Sequence, residues 1–571
     1  MNHADRVDCG GGVRLERGVR SRMRDGVELV SDHYYPPVSG PQPTLLMRQP
    51  YGRDIASTVV YAHPVWFARH GYNVVVQDVR GRGDSEGEFY PFRNEGPDGS
   101  DTIAWLRTRP ESNGRVGMYG FSYQGMTQLL AAAEQPEGLI CISPGMTACD
   151  LYHGWFYNQG ALRLASTLGW GLQILKADAR RKHLREASDR LEQSWANLPS
   201  QTSVLSIRAH PALHGERLPQ YVLDWMDHDA PGDYWTSLDV SERLGQIRIP
   251  ALHISGWYDT YLQGSVDGFL KLCCKAGTEV ARHHQYLIAG PWVHIPWGDR
   301  IGTADFGPEV LIDTDAILLR WFDHWLKDSG AFAGEPRIRH FVLGENRWRE
   351  AETFPTESNY ALYLQSTGRA NSRKGNGVLT KNIPGADELC EVFVHDPEVP
   401  VMAPGGPAAA SGQFDQATME LGNNLLVYST EPLAEPLWVF GIPQVVLYCS
   451  TSTSTADFTA KLVRARPNGV AEFICIGIAR SNYLFSEGGY SADKIHRWDF
   501  FLEPTSCRFD AGDRIRLEIA GSAFPLYDRN PGSGARPCVA TSWDWRRSTH
   551  SVYHGPDYRS ALFLPVSEGT V

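Results

Sequence analysis

The sequence holds no run of eighteen apolar residues, the length an α-helix needs to cross a bilayer, so no membrane span is expected. Its first twelve residues carry no apolar segment of the kind that opens a secretory signal, and a cytoplasmic location is expected. There is no block of Lys or Arg. Basic residues number 54 against 66 acidic ones, giving a formal charge of −12, whereas nucleic acid or an anionic membrane requires a concentrated basic face. Cysteine is sparse as well. The ten are scattered from Cys9 to Cys538 without a repeated spacing, and the adjacent pair Cys273-Cys274 makes neither a zinc ribbon nor a disulfide framework. Reduced, mostly buried thiols are expected, and the expected partner is a small molecule; a homo-oligomer stays open.

What is present is ordinary globular material in quantity. With 571 residues, 42% apolar and 21% charged, the chain can bury several cores, and at roughly 150 residues per domain it divides into three or four folding units. Four short β-rich runs, Thr44 to Met47, Val74 to Val79, Val116 to Tyr119 and Leu139 to Ser143, read as buried parallel strands. Helical stretches lie between them, among them Ser100 to Thr108 and Tyr123 to Gln135, the latter stopped by Pro136. Strand and helix thus alternate over residues 1–149 as in a doubly wound α/β sheet.

The alternation breaks over residues 150–244, where Leu184, Ala187, Leu191 and Trp195 recur at helical spacing, and a helical insertion is expected. Strand character returns at Ala251 to Ser255 and Gln285 to Ala289, followed by an amphipathic helix, Ile312 to Lys327, so the α/β sheet resumes over residues 245–350. Over residues 351–571 the texture becomes period two. Ile515, Leu517 and Ile519 alternate with Arg514, Arg516 and Glu518, and Pro467-Asn468-Gly469 forms a turn between apolar runs. Antiparallel hairpins in a β-sandwich or jelly roll are expected there.

The first chemical signal follows the strand that ends at Tyr119, in Gly120-Phe121-Ser122-Tyr123-Gln124-Gly125 and then a helix. A serine on a sharp strand-to-helix turn exposes its hydroxyl above the sheet, with the next backbone N–H aimed at the same point. The common pattern is G-x-S-x-G; here the second glycine comes one residue late, and from context alone a structural Gly-Ser turn is as good a reading as a nucleophile. A nucleophile needs a base and an orienting acid, which in such sheets follow the serine in the order acid, then His, at later strand ends. The run Ala251 to Ser255 ends in Gly256-Trp257-Tyr258-Asp259, and the next strand ends in Gly290-Pro291-Trp292-Val293-His294. Asp259 could be a helix cap and His294 a loop polar residue, but three suitable residue types in this order favour a triad. His253 sits inside a strand, and His283-His284 precede theirs, at the wrong sheet edge.

These segments, together with Arg80-Gly81-Arg82-Gly83-Asp84-Ser85-Glu86-Gly87, resemble the cocaine esterase (CocE/NonD) family of serine hydrolases. That group includes α-amino acid ester hydrolases, glutaryl-7-aminocephalosporanic acid acylases and X-prolyl dipeptidyl peptidases, and the late glycine is its own form of the elbow. The resemblance runs from Met23-Arg24-Asp25-Gly26 to Phe524-Pro525-Leu526-Tyr527-Asp528-Arg529-Asn530. It implies an α/β-hydrolase domain with a helical cap and a C-terminal jelly roll. It also implies Ser122 as nucleophile, His294 as base, Asp259 as its orienter, and Tyr51 as an oxyanion donor beside the backbone N–H of Tyr123. No cofactor or metal is implied.

The resemblance further implies an acyl pocket at Trp155, Trp170 and Tyr261, with room left by Pro407-Ala408-Ala409-Ala410 after a turn over Pro400 to Gly406. The amino-ester branch places acids directly after the triad aspartate, whereas here Asp259 is followed by Thr260-Tyr261-Leu262, so selectivity for α-amino acyl groups is not expected. The expected activity is hydrolysis of a small carboxylic ester through an acyl-enzyme. The alternatives are an acylase or amidase, and a carbohydrate-binding protein acting through the jelly roll.

Overall fold

A strand covered by helices on both faces must be apolar on both, which is why the short apolar runs form the middle of one large sheet. The computed structural model describes residues 6–54, 59–204, 206–385, 389–407, 410–486 and 488–567. In chain order the sheet takes β1 (Arg6–Asp8), β2 (Arg14–Arg22), β3 (Glu28–Tyr35), β4 (Gln42–Gln49), β5 (Asn73–Asp78), β6 (Ser112–Phe121) and β7 (Leu139–Gly145). After a long insertion come β8 (Ala251–Gly256), β9 (Gln285–Gly290), β10 (Ile338–Val342) and β11 (Arg347–Ala351). Across the sheet the order is β1-β2-β3-β5-β4-β6-β7-β8-β9-β10-β11, with the run from β5 to β10 parallel and both margins antiparallel. The strand order reverses beside β4, as a doubly wound sheet requires.

The antiparallel entry through β2 and β3 is not among the runs expected from the sequence. Strand β3 is buried from Leu29 to Tyr35 although it includes Ser31, Asp32 and His33. Its polar groups find partners outside the strand and within it: Asp32 accepts from the Gly18 N–H at 2.9 Å and from Arg53 at 2.8 Å, and Ser31 bonds its strand neighbour His33 at 2.9 Å.

Helices cover the sheet. The helix Tyr123–Ala133 is buried along its whole length, and Thr314–Lys327 lays Leu318, Trp321 and Phe322 on the core. Between β7 and β8 the chain is mainly helical, with Leu164–Arg181, Arg185–Ala196 and Tyr221–Asp227; among the described residues its strands are the two-residue pair Tyr157–Asn158 and Ala161–Leu162. Ala187 and Leu191 face inward as their spacing requires, whereas Trp195 is 41% exposed and lies under the ammonium of Lys176 at 4.1 Å.

Beyond β11 the chain is β-rich, in an eleven-stranded and a three-stranded sheet, with no helix longer than four residues among those described. The pairing is antiparallel save for Val378–Thr380 beside Leu425–Ser429. The segment Phe524 to Asn530 fastens this part to the helical insertion. Carbonyls of Leu526 and Pro525 accept the first two N–H groups of the helix Leu164–Arg181 at 2.9 and 3.1 Å, groups that have no acceptor within the helix.

Six of the ten cysteines are buried, and all ten are free thiols. No helix among the described residues is long and apolar enough to cross a membrane.

Candidate active site

Strand β6 runs straight into the helix Tyr123–Ala133, and the junction residue, Ser122, sits at φ 61° and ψ −127°. An L-residue adopts that backbone only where its surroundings enforce it. Two glycines do so. A Cβ on Gly120 (φ +134°) would lie 2.5 Å from Cβ of Gln124, and one on Gly125 would lie 2.8 Å from the Thr147 side chain and 2.9 Å from the Gly145 carbonyl. The second glycine comes late because the close approach is made at position 125. Position 124 holds a side chain that folds back, its Oε1 accepting the Phe121 N–H at 3.2 Å. The Ser122 N–H donates to the Gly145 carbonyl at 2.9 Å, while the Tyr123 N–H opens the helix, where first-turn donors lack an intrahelical acceptor.

Strands β8 and β9 pair in register, Gly256 opposite Gly290, so the loops after them leave the sheet side by side. Asp259 on the first loop is fully buried and His294 on the second is partly exposed. His294 Nδ1 lies 2.6 Å from Asp259 Oδ2, and Asp259 Oδ1 accepts the Tyr261 N–H at 2.8 Å. With Nδ1 turned to the carboxylate, Nε2 is the ring nitrogen left to accept a proton. The ring is flanked by Tyr261, edge-on at 5.2 Å, and by Phe121 at 5.4 Å.

A cavity of about 430 Å³ opens above the elbow, and Tyr51, Ser122, Trp170, Tyr261 and His294 all line it. Tyr51 stands after β4, and its phenol is pushed up to about 12 by burial, against which its polar neighbours Trp170 and Ser122 act in the lowering direction. The Trp170 indole N–H donates to the Tyr51 hydroxyl at 3.1 Å. Trp155, expected in the pocket, stands behind its wall: it is 2% exposed and stacks on Tyr261 at 4.1 Å, so it supports a lining ring. The Tyr123 side chain is likewise buried away from the cavity. Pro407 and Ser411 bring the β-rich part to the cavity rim, and Ala408 and Ala409 lie outside the described residues.

Sequence reasoning missed the group that holds Tyr123. Its hydroxyl donates to Glu95 at 2.7 Å and accepts the Phe92 N–H at 3.0 Å. Arg48 at the end of β4 in turn donates to the Glu95 carbonyl at 2.9 Å and forms an ion pair with its carboxylate at 3.0 Å. All three side chains are buried, and burial pushes the Glu95 carboxyl up while Arg48 pulls it down. The signal in the sequence was a charged residue, Arg48, closing an apolar strand.

Residues 25–296 match the family model of the X-Pro dipeptidyl-peptidase (S15 family), and residues 330–562 that of the X-Pro dipeptidyl-peptidase C-terminal non-catalytic domain. The chain is 33% identical over 580 residues to cocaine esterase of Rhodococcus sp. (strain MB1 Bresler), spanning 97% of this chain and 99% of that one. This chain belongs to the cocaine esterase family. Family membership covers both the α/β part and the β-rich part, since the alignment runs nearly end to end. An aminopeptidase from a marine sediment Thaumarchaeota archaeon has a similar structure, with a TM-score of 0.80 and 25% identity over 99% of this chain and 97% of that one. An α-amino acid ester hydrolase shares the fold, with a TM-score of 0.77 and 24% identity over 98% of both chains.

Proposed function

We propose that this chain is a serine hydrolase that cleaves a small carboxylic ester through an acyl-enzyme on Ser122. The observation that carries the reading is the convergence of Ser122, Tyr51 and His294 on one cavity, with the imidazole held by Asp259 at 2.6 Å. In the first half-reaction His294 Nε2 takes the Ser122 proton as Oγ attacks the ester carbonyl. The oxyanion that forms meets two donors, the Tyr123 N–H and the Tyr51 hydroxyl. The imidazolium, stabilised by Asp259, gives its proton to the leaving alkoxide, so that an alcohol departs and the acyl group stays on Oγ. Water then repeats the sequence with His294 as base, releasing the acid and restoring Ser122.

The described lining of the cavity includes no Asp or Glu and is dominated by apolar and aromatic side chains, with Gln124, Gln173, Ser166 and Thr260 as polar points. A free α-ammonium would need an anionic partner there, so the acyl group is read as uncharged. The S15 family match favours amide cleavage as a second reading. Relative kcat/KM on a matched ester and anilide of one acyl group separates the two, with the ester preferred on the first reading. A fluorophosphonate probe should label the wild type and leave Ser122→Ala unlabelled. Equal labelling of both would overturn the acyl-enzyme reading.

A further inference from the structure

Tyr51 is the one proposed oxyanion donor that can rotate its proton away. A backbone N–H points in a fixed direction, but a phenol has one O–H and lone pairs, and it accepts a hydrogen bond as readily as it donates one. Tyr51 and Ser122 line the same cavity, and Ser122 is among the polar neighbours that act on the phenol. If the phenol accepted the serine proton, it would draw that proton away from His294 and point its own O–H away from the substrate. What decides the direction is the other neighbour of the phenol oxygen, the Trp170 indole, a group that can only donate.

Trp170 is itself held from several sides. Its ring stacks on Trp225 at 5.1 Å with planes 4° apart and meets Phe92 at 5.8 Å. The helix that carries it, Leu164–Arg181, is tied at its start to the carbonyls of Leu526 and Pro525. Toward its end Arg82 bonds the Ile174 carbonyl at 3.2 Å and Asp178 at 3.1 Å. The indole N–H therefore has a fixed place relative to Tyr51, set by contacts from both the α/β sheet and the β-rich part.

We propose that Trp170 is a positioning residue of the oxyanion hole: by filling the acceptor side of the Tyr51 oxygen, its N–H commits the single phenolic proton to the substrate carbonyl. The proposal rests on the acyl-enzyme reading above and assigns Trp170 a role distinct from a wall of the acyl pocket. A wall acts on binding and depends on the size of the acyl group. A positioning donor acts on the transition state, whatever acyl group is bound.

The test is a double-mutant cycle of Trp170→Phe with Tyr51→Phe, measured on acetyl, butyryl and benzoyl esters of one alcohol. Trp170→Phe keeps an aromatic ring and removes the N–H. The expected result is a loss of about threefold to tenfold in kcat, the size of one neutral hydrogen bond, similar for all three esters and with KM nearly unmoved. In the Tyr51→Phe background the same change should cost less than about twofold, because the hydroxyl it acts through is gone. An unchanged kcat, a loss confined to KM that grows with acyl size, or the same loss in both backgrounds would overturn the proposal. Should Trp170→Phe loosen the fold, replacing Trp170 by benzothienylalanine keeps the bicyclic ring and exchanges the N–H for sulfur, and the same outcomes apply. Failure of the underlying reading looks different: Ser122→Ala would then keep its activity.

Discussion

His294 Nδ1 stands 2.6 Å from Asp259 Oδ2 although the two residues belong to different loops, 35 positions apart. The register of β8 and β9 explains the meeting. With Gly256 opposite Gly290, an acid three residues past one strand and an imidazole four past the next emerge at the same height above the sheet. The carboxylate is clamped at both oxygens, by His294 on one and by the Tyr261 N–H on the other.

This clamp makes Asp259→Asn an informative change. An asparagine can still accept the Tyr261 N–H, but it presents an amide donor or a weaker acceptor to His294, favouring the wrong tautomer. The expected cost is about 10⁴ in kcat with the fold retained. Steady-state kinetics beside a thermal melt checks it, and a loss below tenfold would remove Asp259 from the mechanism.

Ser122→Ala should lower turnover by several orders of magnitude and leave the melting temperature close to wild type, since one hydroxyl at the cavity floor is removed. Combined with His294→Ala it should cost little more than either change alone, because the two act as a unit. Additive losses in the double variant would mean that the residues serve separate steps.

How much of this was legible in the sequence depends on whether a residue's role is local. The hairpin around Asn468-Gly469 was: Asp457–Ala465 pairs with Ala471–Arg480, Ala465 lies opposite Ala471, and Gly469 takes φ +92°, a conformation glycine adopts without strain. The strand ends that bear Ser122, Asp259 and His294 were legible because a buried parallel strand is a short apolar run, and the residues proposed to react stand just beyond it. The period-two pattern of the strand Arg514–Ala520 was read correctly as a strand, but it does not reveal what covers the second face. Arg516 and Glu518 are 7% and 3% exposed, paired with Glu420 at 2.6 Å and Lys461 at 2.8 Å. Strand β3 stayed hidden for the same reason, since its buried Asp32 is satisfied by Gly18 and Arg53, outside the strand. Trp155 and Trp170 are both tryptophans of the helical insertion; which of them reaches the cavity is set by how that insertion docks, which no local pattern carries.

The docking itself can be tested at Asp528. Arg480 is buried and donates to Asp457 at 2.9 and 2.8 Å and to Asp528 at 2.8 Å, while Asp528 also accepts the Leu162 N–H at 3.1 Å. Asp528→Ala removes one partner of a buried guanidinium and leaves Asp457 to pair it. A destabilisation of about 3 kcal/mol is expected, at the low end for breaking a buried ion pair. The urea midpoint of unfolding measures this, with fluorophosphonate labelling of Ser122 persisting below the transition. A midpoint equal to wild type would mean that Phe524 to Asn530 does not clamp the helical insertion.

The proposed oxyanion hole makes the last prediction, and it concerns alkaline pH. Tyr51 can donate a proton only while its phenol is neutral. Burial is the main cause that pushes this phenol up to about 12, from an ordinary value near 10. The donor form is therefore present at all pH values below about 12 and is lost only as pH rises through that value. Tyr51→Phe should lower kcat by about 10²–10³ with KM moving far less, because the ring stays and only transition-state stabilisation goes. The ratio of wild-type to variant kcat should then stay constant between about pH 7 and pH 10, where an ordinary phenol would already be half ionised and the ratio halved. A ratio that falls across that range would mean that Tyr51 ionises early and is not held neutral beside Ser122. A tenfold rise in KM with kcat unchanged would make Tyr51 a packing residue and leave the Tyr123 N–H as the donor to the oxyanion.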